Sequence, residues 1–345
     1  DSLATGHSME LVAIQENALL KSHGTTDFHG ANQEGIEPQL LNDLIQLARG
    51  AAQDHELADA TLLSQRSDRI VIRVGSVVVK AHAKPTDRKE LKARLELVAH
   101  TPLQDIFLTP LECEAWPVSG GLLATLWPAG LKLDDSLDGA PWEEAARLLA
   151  ALHRSPWPSS MSVHDLPQCR AEDKVRAALS QLEGELVDAG DSNIRIVREA
   201  AATLHLSHPY PGSGMTTLVH GDWHFGQLVT VSIKGKKTLR LIDPDDMGIG
   251  NPAWDLARPA AFFAAGLIPP DVWESFLNAY CAAGGLAVTQ GDDPWLSLDG
   301  PARALVVQCA ASALVRSRRM QKPLADAEEH LIEACRRIAR MPSQA

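Results

Sequence analysis

The chain reads as an α+β protein in which strands come early and helices come late. Between Thr61 and Trp127 apolar residues tend to alternate with period two, and after Asp138 they recur mostly at helical spacing. One stretch, Leu218 to Asp255, interrupts the helices with a hairpin pattern crowded with Asp and His. At 345 residues, with 45% apolar and 22% charged content, the chain is long enough for two or three subdomains with real cores. A formal net charge of −12 argues against a nucleic-acid partner and suits a cationic small molecule. The longest apolar runs, Pro259–Pro270 and Ala304–Val315, fall short of the ~20 residues a membrane span needs. Five scattered cysteines without CxxC spacing imply reduced thiols and a cytoplasmic location. Asp1–Glu10 lacks the basic and apolar regions of a signal peptide.

In order along the chain, Asp1–Met9 carries no pattern of an ordered element, and residues 1–60 form an N-terminal cap region. Within it Glu37–Leu57 reads as a helix, because Leu40, Leu41, Leu44, Ile45 and Leu47 make one apolar stripe after Pro38. Residues 61–130 are the β-rich part. Arg69–Val74 and Ser76–Lys80 are β-branched strands around Gly75, and Leu108–Trp116 and Gly121–Trp127 are two more around Ser119–Gly120. A helix over Asp87–His100 lies between these pairs, with Leu91, Leu95 and Val98 on its buried face. Residues 131–345 are mainly helical: Pro141–Arg154, one or two helices in Ala171–Leu206, then Trp254–Phe263, Asp271–Ala283, Pro301–Met320 and Leu324–Met341. The charges of Ala171–Leu206 read as a solvated face, and the basic run Arg316–Lys322 as an ordinary helix end.

The central stretch carries the chemistry. Leu228–Ile233 and Thr238–Ile242 alternate apolar and polar residues around Lys234–Lys237, and a turn centred on Gly235 and Lys236 places Gln227 and Asp243 at one end of the hairpin. Asp222 stands five residues before Gln227 on a loop that can fold over the same point. Two aspartates, a carboxamide and a histidine then converge, which suits phosphoryl transfer: a base for the attacking hydroxyl and oxygen ligands for Mg²⁺. Taken singly, Asp243 is equally readable as a turn cap, and His220 and His224 as satisfied core histidines. A zinc site is a further alternative, since the two histidines are four apart, but Gly221 disfavours the helix that would align them.

These residues read His220-Gly221-Asp222-Trp223-His224-Phe225-Gly226-Gln227, then Ile242-Asp243-Pro244-Asp245-Asp246, then Gly250-Asn251-Pro252-Ala253-Trp254-Asp255-Leu256-Ala257. The run resembles the aminoglycoside phosphotransferase family of small-molecule kinases, with H-G-D-x-H-x-x-N, I-D-x-x-D and G-D-P-x-x-D-L-A. The resemblance implies a bilobal protein-kinase-like fold, a five-stranded antiparallel N-lobe and a larger helical C-lobe with ATP and Mg²⁺ between them. It gives Asp222 the catalytic task, with Gln227 and Asp243 on the metal and Asp245 beside them. Lys80 meets the nucleotide phosphates, braced by Glu96 or else Glu90. The loop Ser64–Asp68 has no glycine, so Ser64 or Arg66 stands in for the usual backbone cradle. Thr125–Ala129 is the adenine-side hinge, and Asp255 is a buried carboxylate receiving N–H groups of the catalytic loop. Acceptor contacts fall to Asp222, His224, Arg303 and Gln308, with Asp292 and Asp293 as further candidates.

Gln227 together with Trp223 and His224 is similar to the branch of bacterial maltokinases and glucosamine kinases, and Asp243–Asp246 with Pro252–Pro259 is more similar to the glucosamine kinases. The acceptor expected from that likeness is glucosamine or another sugar, phosphorylated at the 6-hydroxyl. An aminoglycoside antibiotic or maltose is the alternative acceptor, and a nucleotide-binding pseudokinase is the alternative of another class.

Overall fold

The computed structural model describes residues 26–27, 36–52, 59–65, 69–82, 84–133, 140–159, 161–185, 190–206 and 216–341. The unpatterned start, Arg66 and the rest of the loop through Asp68 lie outside them. The fold is the expected kinase-like α+β arrangement. Its N-lobe sheet is antiparallel, in the order β1-β2-β3-β4-β6-β5. The strands are β1 (Thr26–Asp27), β2 (Ala60–Gln65), β3 (Ile70–Val74), β4 (Val77–His82), β5 (Trp116–Val118) and β6 (Leu122–Pro128). The sixth strand, β1, comes from the region read as a cap and pairs with β2 at the sheet edge.

Helix α1 (Pro38–Ala51) is shorter than the stripe suggested and is no separate cap. Its Leu40, Leu44 and Ala48 pack on Ile72, Val79 and Leu126, so the helix covers one face of the sheet. Strands β3 and β4 pair from Val74↔Val77 outward, across Gly75, whose φ of 58° is open to glycine at no steric cost. Helix α2 (Arg88–Ala99) is capped by Asp87, whose carboxylate accepts from the Glu90 N–H. The strand expected over Leu108–Trp116 is reduced to β5. Pro110 has no N–H for a ladder, and the chain there runs irregularly, held by the Leu111 N–H donating to the Leu126 carbonyl at 2.9 Å.

The C-lobe holds α3 (Trp142–Arg154), α4 (Ala171–Glu185), α5 (Ser192–Ala201), α6 (Ala253–Ala264), α7 (Pro270–Ala282), α8 (Trp295–Met320) and α9 (Asp326–Ala339). Strands β7 (Leu131–Lys132), β9 (Leu228–Ile233) and β10 (Lys236–Leu241) form one small sheet, and β8 (Thr217–Val219) pairs with β11 (Gly248–Gly250). Helix α8 starts six residues before the expected Pro301, which sits inside it where α8 is already buried. The hairpin turn is Lys234–Gly235, one residue earlier than read. Both residues have positive φ, 50° and 77°, and that backbone matches the twist of the paired strands. The resulting register, Leu228↔Leu241, still brings Gln227 to the end of β10: the Ile242 N–H donates to the Gln227 carbonyl at 2.9 Å. A single large core joins α2 to the C-lobe helices and β8–β11, distinct from the N-lobe core under α1. No described helix is long and apolar enough to cross a membrane.

Candidate functional site

The loop that follows β8 is fixed from beneath. Asp255, fully buried on α6, accepts from the backbone N–H groups of His220 (2.7 Å) and Gly221 (2.8 Å). Its remaining partner is His153 Nε2 at 3.0 Å. Tyr280 Oη accepts from the Ala287 N–H and lies 2.6 Å from His153 Nδ1, so the tyrosine proton goes to Nδ1 and the His153 Nε2–H faces the carboxylate. This is the brace the sequence suggested for Asp255, extended two residues deeper. Gly221 has φ 81°, and a Cβ there would lie 2.3 Å from the Asp246 carbonyl oxygen, so the loop needs glycine both for its backbone and for this close approach. His224 is buried. Its Nδ1 accepts from the Gly226 N–H at 3.0 Å, which leaves the proton on Nε2, an atom without a protein partner. Burial, with the Arg258 charge, holds this imidazole well below the usual histidine range, hence neutral. It braces its own loop and is not open to an acceptor.

Asp222 is gripped from two helices. Its Oδ2 lies 2.5 Å from Lys174 Nζ on α4, and its Oδ1 accepts from Arg258 Nη2 on α6 at 2.8 Å. Lys174 also donates to Asp246 at 2.9 Å. Burial alone would raise the Asp222 carboxyl, but Lys174 and Arg258 outweigh it and keep the group ionised far below the usual carboxylate range. Burial would equally lower Lys174, and Asp222 with Asp246 reverses this, pushing it up to about 12. Lys174 corrects the reading of that helix as a purely solvated face.

A second cluster joins the lobes. Lys80, at the centre of β4, donates to Asp243 and, at 2.7 Å, to Asp245. Arg69, at the start of β3, reaches Asp243 at 3.5 Å and Asp245 at 3.9 Å. His82 Nδ1 lies 3.0 Å from Asp245, and its Nε2 lies 2.8 Å from Thr125 Oγ1. Thr125 is thus a buried strand residue, whereas Ala129 donates its N–H to the Ser76 carbonyl at 2.8 Å. Gln227 Nε2 approaches Asp243 at 3.4 Å. Asp243 adopts φ 60°, an uncommon conformation for a non-glycine residue that re-aims its carboxylate as the chain leaves β10. Both aspartates stay ionised because Lys80, Arg69 and, for Asp245, His82 overcome the effect of burial. The expected Lys80–Glu96 pair is not formed. Glu96 is exposed on the far side of α2, and Glu90 pairs with Arg94 at 3.1 Å. Ser64 sits half-buried at a β-bulge of β2 and takes no part in this cluster's ion pairs.

Among the described residues no group of three or more His, Cys, Asp or Glu is placed to hold a metal ion, and Lys80 bridges Asp243 and Asp245; only the type of the oxygen donors left open suits a hard cation. Gln227 uses its amide nitrogen toward Asp243, which leaves its oxygen, and Asp245 Oδ1 is buried without a protein partner.

Beside Asp222 a cavity of about 830 Å³ opens between α4, α6, α8 and α9. Gln308 lines it, with Ser312 one turn on. Arg303 does not. It stands five positions from Gln308, on another side of α8, and pairs with Asp299 at 2.8 Å. Asp292 and Asp293 are exposed before α8, where Asp293 caps the Trp295 N–H. Arg316 and Arg319, read as a plain helix end, line the cavity together with Arg69, Lys174 and Arg258. Nothing local in the sequence distinguishes these five cations from surface charges, except that Arg258 follows directly on the quoted Asp255 motif.

Residues 114–298, more than half of the chain, match the phosphotransferase enzyme family, and the chain belongs to it. No curated protein matches the chain in sequence. Among solved structures it is similar to the GDP complex of aminoglycoside 2′-phosphotransferase-IIIa, at 15% identity and TM-score 0.53 over 88% of this chain and 99% of that one. A spectinomycin phosphotransferase in complex with ADP and spectinomycin matches at 14% identity and TM-score 0.52, over 89% and 99%. A Plasmodium vivax ethanolamine kinase matches at 12% identity and TM-score 0.51, over 86% and 85%. These likenesses carry the fold. Family membership makes the chain a phosphotransferase.

Proposed function

We propose that this phosphotransferase moves the terminal phosphate of ATP onto a hydroxyl of a small molecule seated beside Asp222. The observation that supports it is one carboxylate, Asp222, held ionised at the wall of a cavity and adjoining a second acidic cluster that ends in Lys80. The acceptor oxygen attacks the γ-phosphorus, the bond from that phosphorus to the β,γ-bridging oxygen breaks, and ADP leaves. Asp222 accepts a hydrogen bond from the attacking hydroxyl and so aims it. Because its carboxyl is held at low pKa, its main contribution is orientation, with the proton passing to it late, as a loose phosphoryl transition state allows. Lys174 and Arg258 keep Asp222 in place and charged. Gln227, Asp243 and Asp245 would hold Mg²⁺, which when bound neutralises phosphate charge. Lys80, and Arg69 beside it, exchange carboxylate partners for the nucleotide phosphates.

For the acceptor, the motif likeness supports a sugar such as glucosamine, and family relatives named for aminoglycosides support an antibiotic as the alternative. The test is ADP release with Mg-ATP against glucosamine, glucose, maltose, N-acetylglucosamine and kanamycin. Asp222→Asn should lower kcat on the best acceptor by about 10²–10⁴-fold with nucleotide affinity nearly unchanged. Near-normal turnover in that variant would remove Asp222 from the mechanism. ATP binding with no turnover on any acceptor would favour a nucleotide-binding module instead.

A further inference from the structure

The charge of the cavity opposes that of the protein. The chain has 44 acidic against 32 basic residues, yet Arg69, Lys174, Arg258, Arg316 and Arg319 line the cavity. Among the described residues, two carboxylates share that lining, Asp222 and Glu328. Asp222 is already bound by two of the cations, and Glu328 pairs with Arg316. Other counter-ions of these cations, Asp243, Asp245, Asp246 and Glu185, lie outside the lining. A polycationic amino sugar would meet like charge here, with no uncommitted lining carboxylate among the described residues to receive it.

The cations are also ordered along the cavity. Gln308, Ser312, Arg316 and Arg319 follow one another at steps of four, four and three, which places them on one face of α8. At the inner end Arg258 bridges Asp222 (2.8 Å) and Cys309 Sγ (3.5 Å), so the reacting hydroxyl belongs level with Cys309. Arg316 stands seven residues further along the helix, roughly 10 Å at the α-helical rise. Arg319, paired with Glu185 at 2.7 Å and more than half exposed, marks the outer end.

We propose that the acceptor carries an anionic group, phosphate or carboxylate, roughly 10 Å from the hydroxyl that is phosphorylated, and that Arg316 and Arg319 recognise it. This rests on the kinase reading above and names its substrate class: an acidic disaccharide-sized molecule in place of an amino sugar. Arginine presents a planar fork of N–H donors, so each guanidinium can add an anion to the carboxylate it already holds.

The test compares matched acceptors at low ionic strength: maltose with maltobionate, and trehalose with trehalose 6-phosphate, beside glucosamine. The expected result is kcat/KM at least tenfold higher for an anionic member than for its neutral partner, with the preference shrinking as salt is raised. The better anionic pair identifies carboxylate or phosphate. Arg319→Gln should reduce that preference through KM, and Arg319→Lys should restore part of it. Circular dichroism of both variants guards against misfolding. Calorimetric titration of the two anionic sugars into the ADP complex supplies a readout free of turnover. Neutral or cationic acceptors turned over equally well or better, with Asp222 still required, would overturn the anion proposal and leave the kinase reading intact. Anion binding that depends on Arg319, with no acceptor of any charge releasing ADP, would keep the recognition site and overturn the kinase reading. Neither binding nor turnover of either anionic sugar would overturn the proposal.

Discussion

The two halves of the site are built differently. On the side proposed for the nucleotide, Lys80 comes from the N-lobe sheet, Arg69 from just before β3, and Asp243 and Asp245 from the end of the hairpin, so ion pairs link residues of the two lobes. On the side proposed for the acceptor, Asp222 is held by Lys174 and Arg258, both rooted in helices of the same large core, and its loop is braced by the buried Asp255. The first arrangement can exchange partners when a charged ligand arrives, because each ion pair can be replaced by another. The second also contains ion pairs, but its loop cannot shift without breaking the buried hydrogen bonds that Asp255 accepts. The difference teaches that the side proposed for the acceptor is pre-organised and the side proposed for the nucleotide is the part poised to rearrange.

That contrast breaks first at Asp255. Asp255→Ala leaves the His220 and Gly221 N–H groups and the His153 Nε2–H without their buried acceptor, and should cost several kcal/mol of stability, at about 1–3 kcal/mol for each buried donor left unpaired. Urea unfolding measures it, and a loss below about 1 kcal/mol, the scale of an ordinary net hydrogen bond, would show that the brace carries little. Lys80→Met probes the other side. Its effect should appear as a rise of about tenfold in the ATP dissociation constant, near 1.4 kcal/mol. The same variant should leave acceptor KM almost untouched, and a change confined to acceptor KM would contradict the division.

The smallest effect is on acid stability. Asp222, Asp243 and Asp245 have carboxyls below their ordinary values in the folded state, so the stability they contribute is fully present above an unfolded pKa of about 3.9. It is lost as pH falls from there toward the lower folded values. Unfolding free energy should therefore lose nothing from these groups between pH 7 and 5 and decline below about pH 4. A decline already complete by pH 5 would mean that other groups control acid unfolding.

Much of this was legible before any coordinates. The alternation in Arg69–Lys80 and Leu228–Leu241, the glycine at 221 and the spacing of Asp222, Gln227 and Asp243 specify local geometry, and local geometry brings Gln227 to Asp243. The pairing of Lys80 was harder to read. A helix glutamate was expected to meet it, but Glu96 turns outward because Leu91, Leu95 and Val98 already claim the buried face of α2. Lys174, Arg316 and Arg319 lie in charged stretches that are indistinguishable, by pattern, from solvated helix surface.

The sequence by itself determined the two kinds of secondary structure, the hairpin end and the identity of the loop that carries Asp222, because each depends on residues within a few positions of one another. Only the tertiary structure decided which charges meet. Asp222 finds Lys174 and Arg258 at separations of 48 and 36 residues, and Lys80 finds Asp243 at 163. It also decided that cations line much of the cavity of an acidic protein. The reason is physical: charge pairing follows how helices from distant parts of the chain pack around a shared core, and no local periodicity records that packing.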